Sequence, residues 1–327
     1  MARVLVAGAG ALGSVFGGFL RLAGHSVTLL GRPAHLDAIA ERGLIIDGIW
    51  GEHHASGFDL AASASSVRSA FDTILIAVKS YDTGPMAAAV APLLSASGFV
   101  VSLQNGLGNC EAIAQYVDQH RVLAARVIFG AAITAPGCVR VTVYAEPVLL
   151  GLWHGGQQIA AEQAASRWAR ELATSGIPTE YVADIRSALW GKVFYNAALN
   201  PLGALLGVHY GALGENADSR AIMDAAIDEA YSVALAEGVS LPWATAQDYR
   251  VKFYERLLPP TFHHRSSMLQ DLERQRRTEV DAINGEIWKR GVKHGIATPV
   301  NQLLTRMVRA RSAKATVGRQ TSGDHNE

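Results

Sequence analysis

The chain has 327 residues, enough for about two domains, since a single core rarely serves more than about 250–300. Apolar residues make up 49% and charged ones 18%, which excludes a disordered chain and fits a well-packed enzyme. Lys plus Arg and Asp plus Glu stand at 29 each, so no excess of basic charge exists to hold a nucleic acid or an anionic membrane, and neither partner is expected. In chain order, "RVLVAG" (3–8) reads as a buried strand and 11–24 as a helix. "HSVTLLGR" (25–32) is a second strand, followed by a helix over 34–43. "FDTILIAVK" (71–79) and "GFVVSLQNG" (98–106) are further strands, each with a helix after it, the second near 108–118. "RVLAARVIFG" (121–130) adds a strand, and "VRVTVYAEPVLLGLW" (139–153) alternates enough to predict antiparallel pairing at an edge. Strand–helix alternation of this kind predicts an α/β fold, a doubly wound parallel sheet of Rossmann type.

From about residue 184 the pattern turns helical. "DIRSALWGKVFYNAALNPLGALLG", "SRAIMDAAIDEAYSVALAEG" and the segment from Ser266 to about Ala310 carry little strand signal. The predicted division is a dinucleotide-binding domain over 1–183, an all-α domain over 184–312 and a polar, disordered tail over 313–327. Cys110 and Cys138 lie in no metal-ligand spacing, and neither HxxxH nor HExxH occurs, so no disulfide scaffold and no metal site are expected. The uncharged run 4–20 is broken by five glycines and reads neither as a signal peptide nor as a membrane span; a cytoplasmic protein is expected.

"GAGALG", Gly8 to Gly13, fits G-x-G-x-x-G between a strand and a helix. Gly8 permits a tight turn, Gly10 lets the backbone approach a pyrophosphate, and Gly13 lets helix and strand pack closely. With Ala11 and Leu12, the loop presents the positive end of the helix dipole to phosphates. A carboxylate that would bond a ribose 2′-hydroxyl is absent from the end of the second strand, where "LLGR" places Arg32; a guanidinium there suits a 2′-phosphate, so NADP is the expected cofactor. Lys79 and Asn105 each follow an apolar strand, where the ligand crevice of an open sheet lies. Asn-Gly is also a common turn dipeptide.

In "WGKVFYNAALNP" (190–201), Lys192, Asn196 and Asn200 are four apart and share one narrow stripe of a helix. Asparagine is about 0.6 kcal/mol poorer than alanine as a helix former, so an ordinary solvated face would not choose it twice. "HHRSSMLQDLERQRRTEVDAING" (263–285) is the other informative stretch. Ser267 with Gln270 reads as a capping box. Glu279 lies twelve residues on, about 18 Å along one straight helix. Thr278 with Asp281 offers a second capping box, and a break near 274–278 is therefore predicted.

With "AVKSYDT" and "QNGLGN", these stretches make the chain resemble the ketopantoate reductases, or 2-dehydropantoate 2-reductases, over nearly its whole length. The resemblance implies a Rossmann domain followed by a helical one, with substrate in the cleft between. It further implies Lys192 as general acid, Asn196 and Asn200 on the substrate hydroxyl and Ser267 on its carboxylate. Glu279 would anchor the site near lysine and cofactor, with Asn105 positioning both. Well-known members carry asparagine where this chain has His264, which can still donate to a carboxylate but can also change charge near its ordinary pKa. The expected reaction is reduction of ketopantoate to (R)-pantoate by NADPH, by a monomer or homodimer. A reductase of another 2-keto acid is the alternative. A silent NADP-binding sensor would have no reason to keep Lys192, Asn196, Asn200 and Glu279 together.

Overall fold

The computed structural model describes residues 1–154 and 159–321, and the side chains of 1–154 and 159–313. Of the tail predicted over 313–327, residues 313–321 continue the last helix, and 322–327 lie outside the described residues. The chain divides into two compact units, Met1–Ala188 and Leu189–Glu327.

Unit 1 begins β1 (Arg3–Ala7), α1 (Ala11–Leu22), β2 (Ser26–Leu30), α2 (Pro33–Arg42), β3 (Leu44–Gly48), β4 (His53–Ala55), β5 (Asp59–Ala61) and β6 (Phe71–Ile76). It continues α3 (Thr83–Val90), β7 (Leu94–Ser102), α4 (Asn109–Ile113), β8 (Val122–Arg126), β9 (Phe129–Ala135), β10 (Cys138–Tyr144), β11 (Val148–Leu152), α5 (Ile159–Thr174) and β12 (Thr179–Asp184). One sheet runs β12-β11-β8-β7-β6-β1-β2-β5. Its stretch from β8 to β5 is parallel. Val4, Leu5, Val6, Ile74 and Ile76 are fully buried, as strands covered on both faces require. Strand order reverses between β1 and β6, the switch point beside which such sheets bind ligands.

The second sheet, β4-β3-β10-β9, was not legible in the sequence. The predicted strand 139–153 is two strands: β10 lies in this smaller sheet, antiparallel to β9 and parallel to β3, whereas β11 joins the large sheet antiparallel to β8. Pro147 separates them, lacking the N–H that a continuous ladder would need. The small sheet packs on α1 through Gly18, where a Cβ would lie 2.4 Å from Ile46 Cδ1, and through the ring pair Phe16–Phe129 at 5.9 Å. The helix predicted near 108–118 is only the short α4.

α6 (Ile185–Leu206) leads into unit 2, which holds α7 (Tyr210–Glu215), α8 (Ala217–Ala236), α9 (Ala246–Lys252), α10 (Ser267–Glu273), α11 (Asn284–His294) and α12 (Pro299–Thr321). No strand occurs among its described residues. A π-helical turn, Phe253–Leu257, extends α9. The buried face of α6 carries Val193, Phe194, Ala197 and Ala198, and Phe194 meets Tyr249 edge-to-face at 5.1 Å. No described helix is long and apolar enough to cross a membrane.

Candidate active site

In unit 1 the loops after β1, β2, β6 and β7 carry the predicted cofactor residues. Gly8 stands at φ +112°, and a Cβ there would come 2.8 Å from Val78 N. A Cβ on Gly13 would lie 2.1 Å from Gly8 O, so helix and strand pack at a distance only glycine allows. A Cβ on Gly10 meets no protein atom within 4 Å. Gly10 is the N-cap of α1, and Ser14 N donates to its carbonyl at 2.8 Å. The preceding amides, of Ala11, Leu12 and Gly13, have no acceptor within the helix. Arg32 is exposed and is the N-cap residue of α2.

His35 and Gln104, unnoticed in the sequence, brace these loops. Gly137 N donates to His35 Nδ1 at 3.0 Å, so Nε2 carries the proton and donates to Ser14 Oγ, also at 3.0 Å. This ties α2 to the first turn of α1, and burial lowers the His35 pKa, which favours the neutral ring the arrangement needs. Gln104 Nε2 donates to Val78 O at 3.0 Å and to Thr83 Oγ1 at 2.6 Å, and Asn109 Nδ2 donates to Asn105 O at 2.9 Å. The segments bearing Lys79 and Asn105 are thereby held by one buried network. Two polar residues, Ser102 and Gln104, at the end of the apolar strand in "VVSLQ" were the available signal.

In unit 2, the stripe on α6 is sequestered. Asn196 is 8% exposed and Asn200 6%, with Lys192 half-buried. The Asn196 amide makes no hydrogen bond among the described residues. Asn200 differs from it: Tyr210 Oη donates to its Oδ1 at 2.6 Å, so the NH₂ group is the part left to offer a ligand.

The segment from 263 to 285 is broken, with Gln275 in the left-handed region at φ +53°. Both predicted capping boxes are corrected. The N-cap of α10 is Ser266, whose Oγ accepts from Leu269 N at 3.0 Å, and Gln270 Nε2 donates to Arg265 O instead. Ser267 is consequently the first residue of the helix, exposed, with its hydroxyl unused by the fold. Ser266 also ties this helix end to α6 through Asn200 O at 3.4 Å. Asp281 does not cap with Thr278; its carboxylate pairs with Arg309 at 2.7 Å and Arg277 at 3.5 Å. Glu279 is 8% exposed, just before the 3₁₀ turn Val280–Ala282. The His264 ring lies 5.1 Å from that of Tyr210, and desolvation lowers its pKa, so at neutral pH it offers one ring N–H rather than a cation. No group of side chains among the described residues could hold a metal ion.

The strand order, the glycine loop at the switch point and the helical unit with its sequestered polar stripe define a class: a dinucleotide-dependent oxidoreductase with an α/β domain followed by a helical one. Residues 4–155 match the family described as ketopantoate reductase PanE/ApbA, and residues 184–312 match its C-terminal counterpart. The 2-dehydropantoate 2-reductase of Aquifex aeolicus is 38% identical over 94% of this chain and 96% of its own. That of Halobacterium salinarum is 35% identical over 94% and 98%. The solved ketopantoate reductase of Ralstonia eutropha JMP134 superposes with a TM-score of 0.85 at 33% identity, covering 96% of this chain and 99% of the other. D-mandelate dehydrogenase, solved with NADH and anilino(oxo)acetate, gives 0.85 at 28% with the same coverage. The chain belongs to the ketopantoate reductase family and is a 2-keto acid reductase that uses a nicotinamide cofactor.

Proposed function

We propose that this enzyme reduces 2-dehydropantoate to (R)-pantoate with NADPH, and that Lys192 is its general acid. The observation that carries the reading is the α6 stripe: a lysine one turn from a largely buried Asn196 whose amide pairs with no other described residue. The residue is 8% exposed, and its amide, used by no described neighbour, is left to hydrogen-bond a ligand. A bound reduced nicotinamide supplies the hydride. The Lys192 ammonium stabilises the charge that gathers on the ketone oxygen and then delivers a proton to it; solvent returns that proton to the amine. Asn196 and the Asn200 NH₂ hold the substrate hydroxyl. Ser267 Oγ and the neutral His264 hold the carboxylate, while Glu279 and Asn105 anchor lysine and cofactor.

For the cofactor, packing does not demand glycine at position 10, whereas close approach of a pyrophosphate to the bare backbone does. Gly10→Ala is expected to leave the melting temperature unchanged and to weaken cofactor binding at least tenfold by fluorescence titration. Arg32, exposed beside that loop with no acid at the strand end, would take the 2′-phosphate. Arg32→Ala is expected to lower kcat/KM for NADPH at least tenfold and leave NADH nearly unchanged. Unaltered selectivity would move the contact elsewhere, with Lys79 next in line.

The test is the initial rate of NADPH oxidation at 340 nm with ketopantoate beside 2-ketoisovalerate, pyruvate, oxaloacetate and phenylglyoxylate. A kcat/KM for ketopantoate near or above about 10⁴ M⁻¹s⁻¹, well over the others, supports the reading. The likeness to D-mandelate dehydrogenase favours a second reading, the same mechanism on another 2-keto acid. A preference for phenylglyoxylate, or for NADH, would select it.

A further inference from the structure

α6 contains Pro201, one residue past Asn200. Proline has no N–H, so the carbonyl four residues earlier, that of Ala197, loses its helical partner. Ala197 is fully buried, and an unpaired carbonyl there would be costly. Asn284 fills the gap: its Nδ2 donates to Ala197 O at 3.0 Å. Asn284 is itself 0% exposed and begins α11, directly after the turn that follows Glu279.

The same Nδ2 donates to Asn301 Oδ1 at 2.9 Å. Asn301 Nδ2 in turn donates to Ala226 O at 3.1 Å and to Glu229 Oε2 at 2.7 Å. The Glu229 carboxylate accepts Val300 N at 2.8 Å and Asn301 N at 2.9 Å, and so caps α12. One buried chain of amides thus joins α6, α8, α11 and α12, and it meets α6 at Ala197, directly after Asn196.

We infer that Asn284 is a positioning residue, which fixes the stripe Lys192–Asn196–Asn200 against the segment bearing Glu279 by satisfying the carbonyl that Pro201 orphans. The inference rests on the proposed role of that stripe. A helix interrupted by proline has lost one of the bonds that set its local path, and an amide donor from a neighbouring helix restores that path only in one register. The Pro201–Asn284 pair therefore works as a unit.

The experiment is a double-mutant cycle on the full-length enzyme, with Asn284→Ala, Pro201→Ala and both together. Rates are taken with the 2-keto acid that the unaltered enzyme turns over fastest, well below every variant's melting temperature. Asn284→Ala is expected to lower kcat/KM for the keto acid at least tenfold, with the NADPH Kd within twofold. Pro201→Ala returns an N–H to Ala197 O, so the double variant is expected to recover at least threefold over Asn284→Ala. It should also melt higher than the two single shifts, added together, would place it. A purely structural asparagine would lower the melting temperature and leave kcat/KM within twofold; that outcome, or strictly additive effects in both readouts, overturns the inference. Poor turnover of ketopantoate by the unaltered enzyme would refute the substrate reading alone, because the cycle uses whichever acid is preferred.

Discussion

Lys192→Ala is expected to lower kcat/KM for the keto acid at least a hundredfold while NADPH binding, followed by fluorescence, stays within about twofold. Removal of a general acid commonly costs 10²–10⁴-fold, because the alkoxide formed by hydride addition must then be stabilised and protonated by water. The loss should fall mainly on kcat, since the ammonium interacts most strongly when charge has gathered on oxygen. Lys192→Arg separates charge from proton transfer: a guanidinium keeps the positive charge but holds its proton far more tightly, so partial binding without recovery of turnover is expected. Near-normal turnover in the alanine variant would remove Lys192 from the mechanism. The half-buried position on α6, with Asn196 and Asn200 on the same stripe, is what singles out this lysine.

The largest expected effect on stability lies at Glu237, at the end of α8. Its carboxylate is paired with Arg290 at 2.6 Å, Lys293 at 3.0 Å and His294, all on α11. Burial pushes its pKa up, but the hydrogen bonds from His294 and Lys293 and the charge of Arg290 prevail, and the value falls from 4.5 to about 2. The carboxylate is thus favoured by the folded state. Its stabilisation is complete above the unfolded value of 4.5 and disappears as pH falls from there through about 2. For this side chain, 13% exposed, a shift of this size corresponds to roughly 3 kcal/mol. Glu237→Gln is expected to lower the melting temperature at pH 7 by roughly 5–10 °C and to flatten the acid limb of the stability curve. A variant that melted with the unaltered protein at pH 7 would show that the pairs only offset the cost of desolvating them.

What could be read in the sequence was local. The strand–loop–helix of Arg3–Leu22 is set by an apolar run, glycines at steric contacts and a helical period, all within one short window. The stripe on α6 follows from spacing by four, and the break after Glu273 from a dense run of charge. The cap lies one residue before the serine that the spacing predicts, because "HHRSSMLQ" offers two adjacent serines and only packing decides which is buried. Ser266 is, which leaves Ser267 outward.

Pairing across distance was decided by the tertiary structure alone. β3 takes β10 as its neighbour across more than ninety residues of sequence, and β10 and β11, adjacent in the chain, part into different sheets. Short strands carry too little periodicity to announce such partners, since their stability comes from the faces they cover. The same holds at the site. The sequence by itself determined which residue types stand on one face of a helix, and that a glycine loop opens the sheet. That Asn200 accepts from Tyr210 while Asn196 bonds to no other described residue, and that Asn284 answers the carbonyl left by Pro201, depended on three-dimensional packing. A hydrogen bond is satisfied by proximity and direction, and neither is written in the order of the chain.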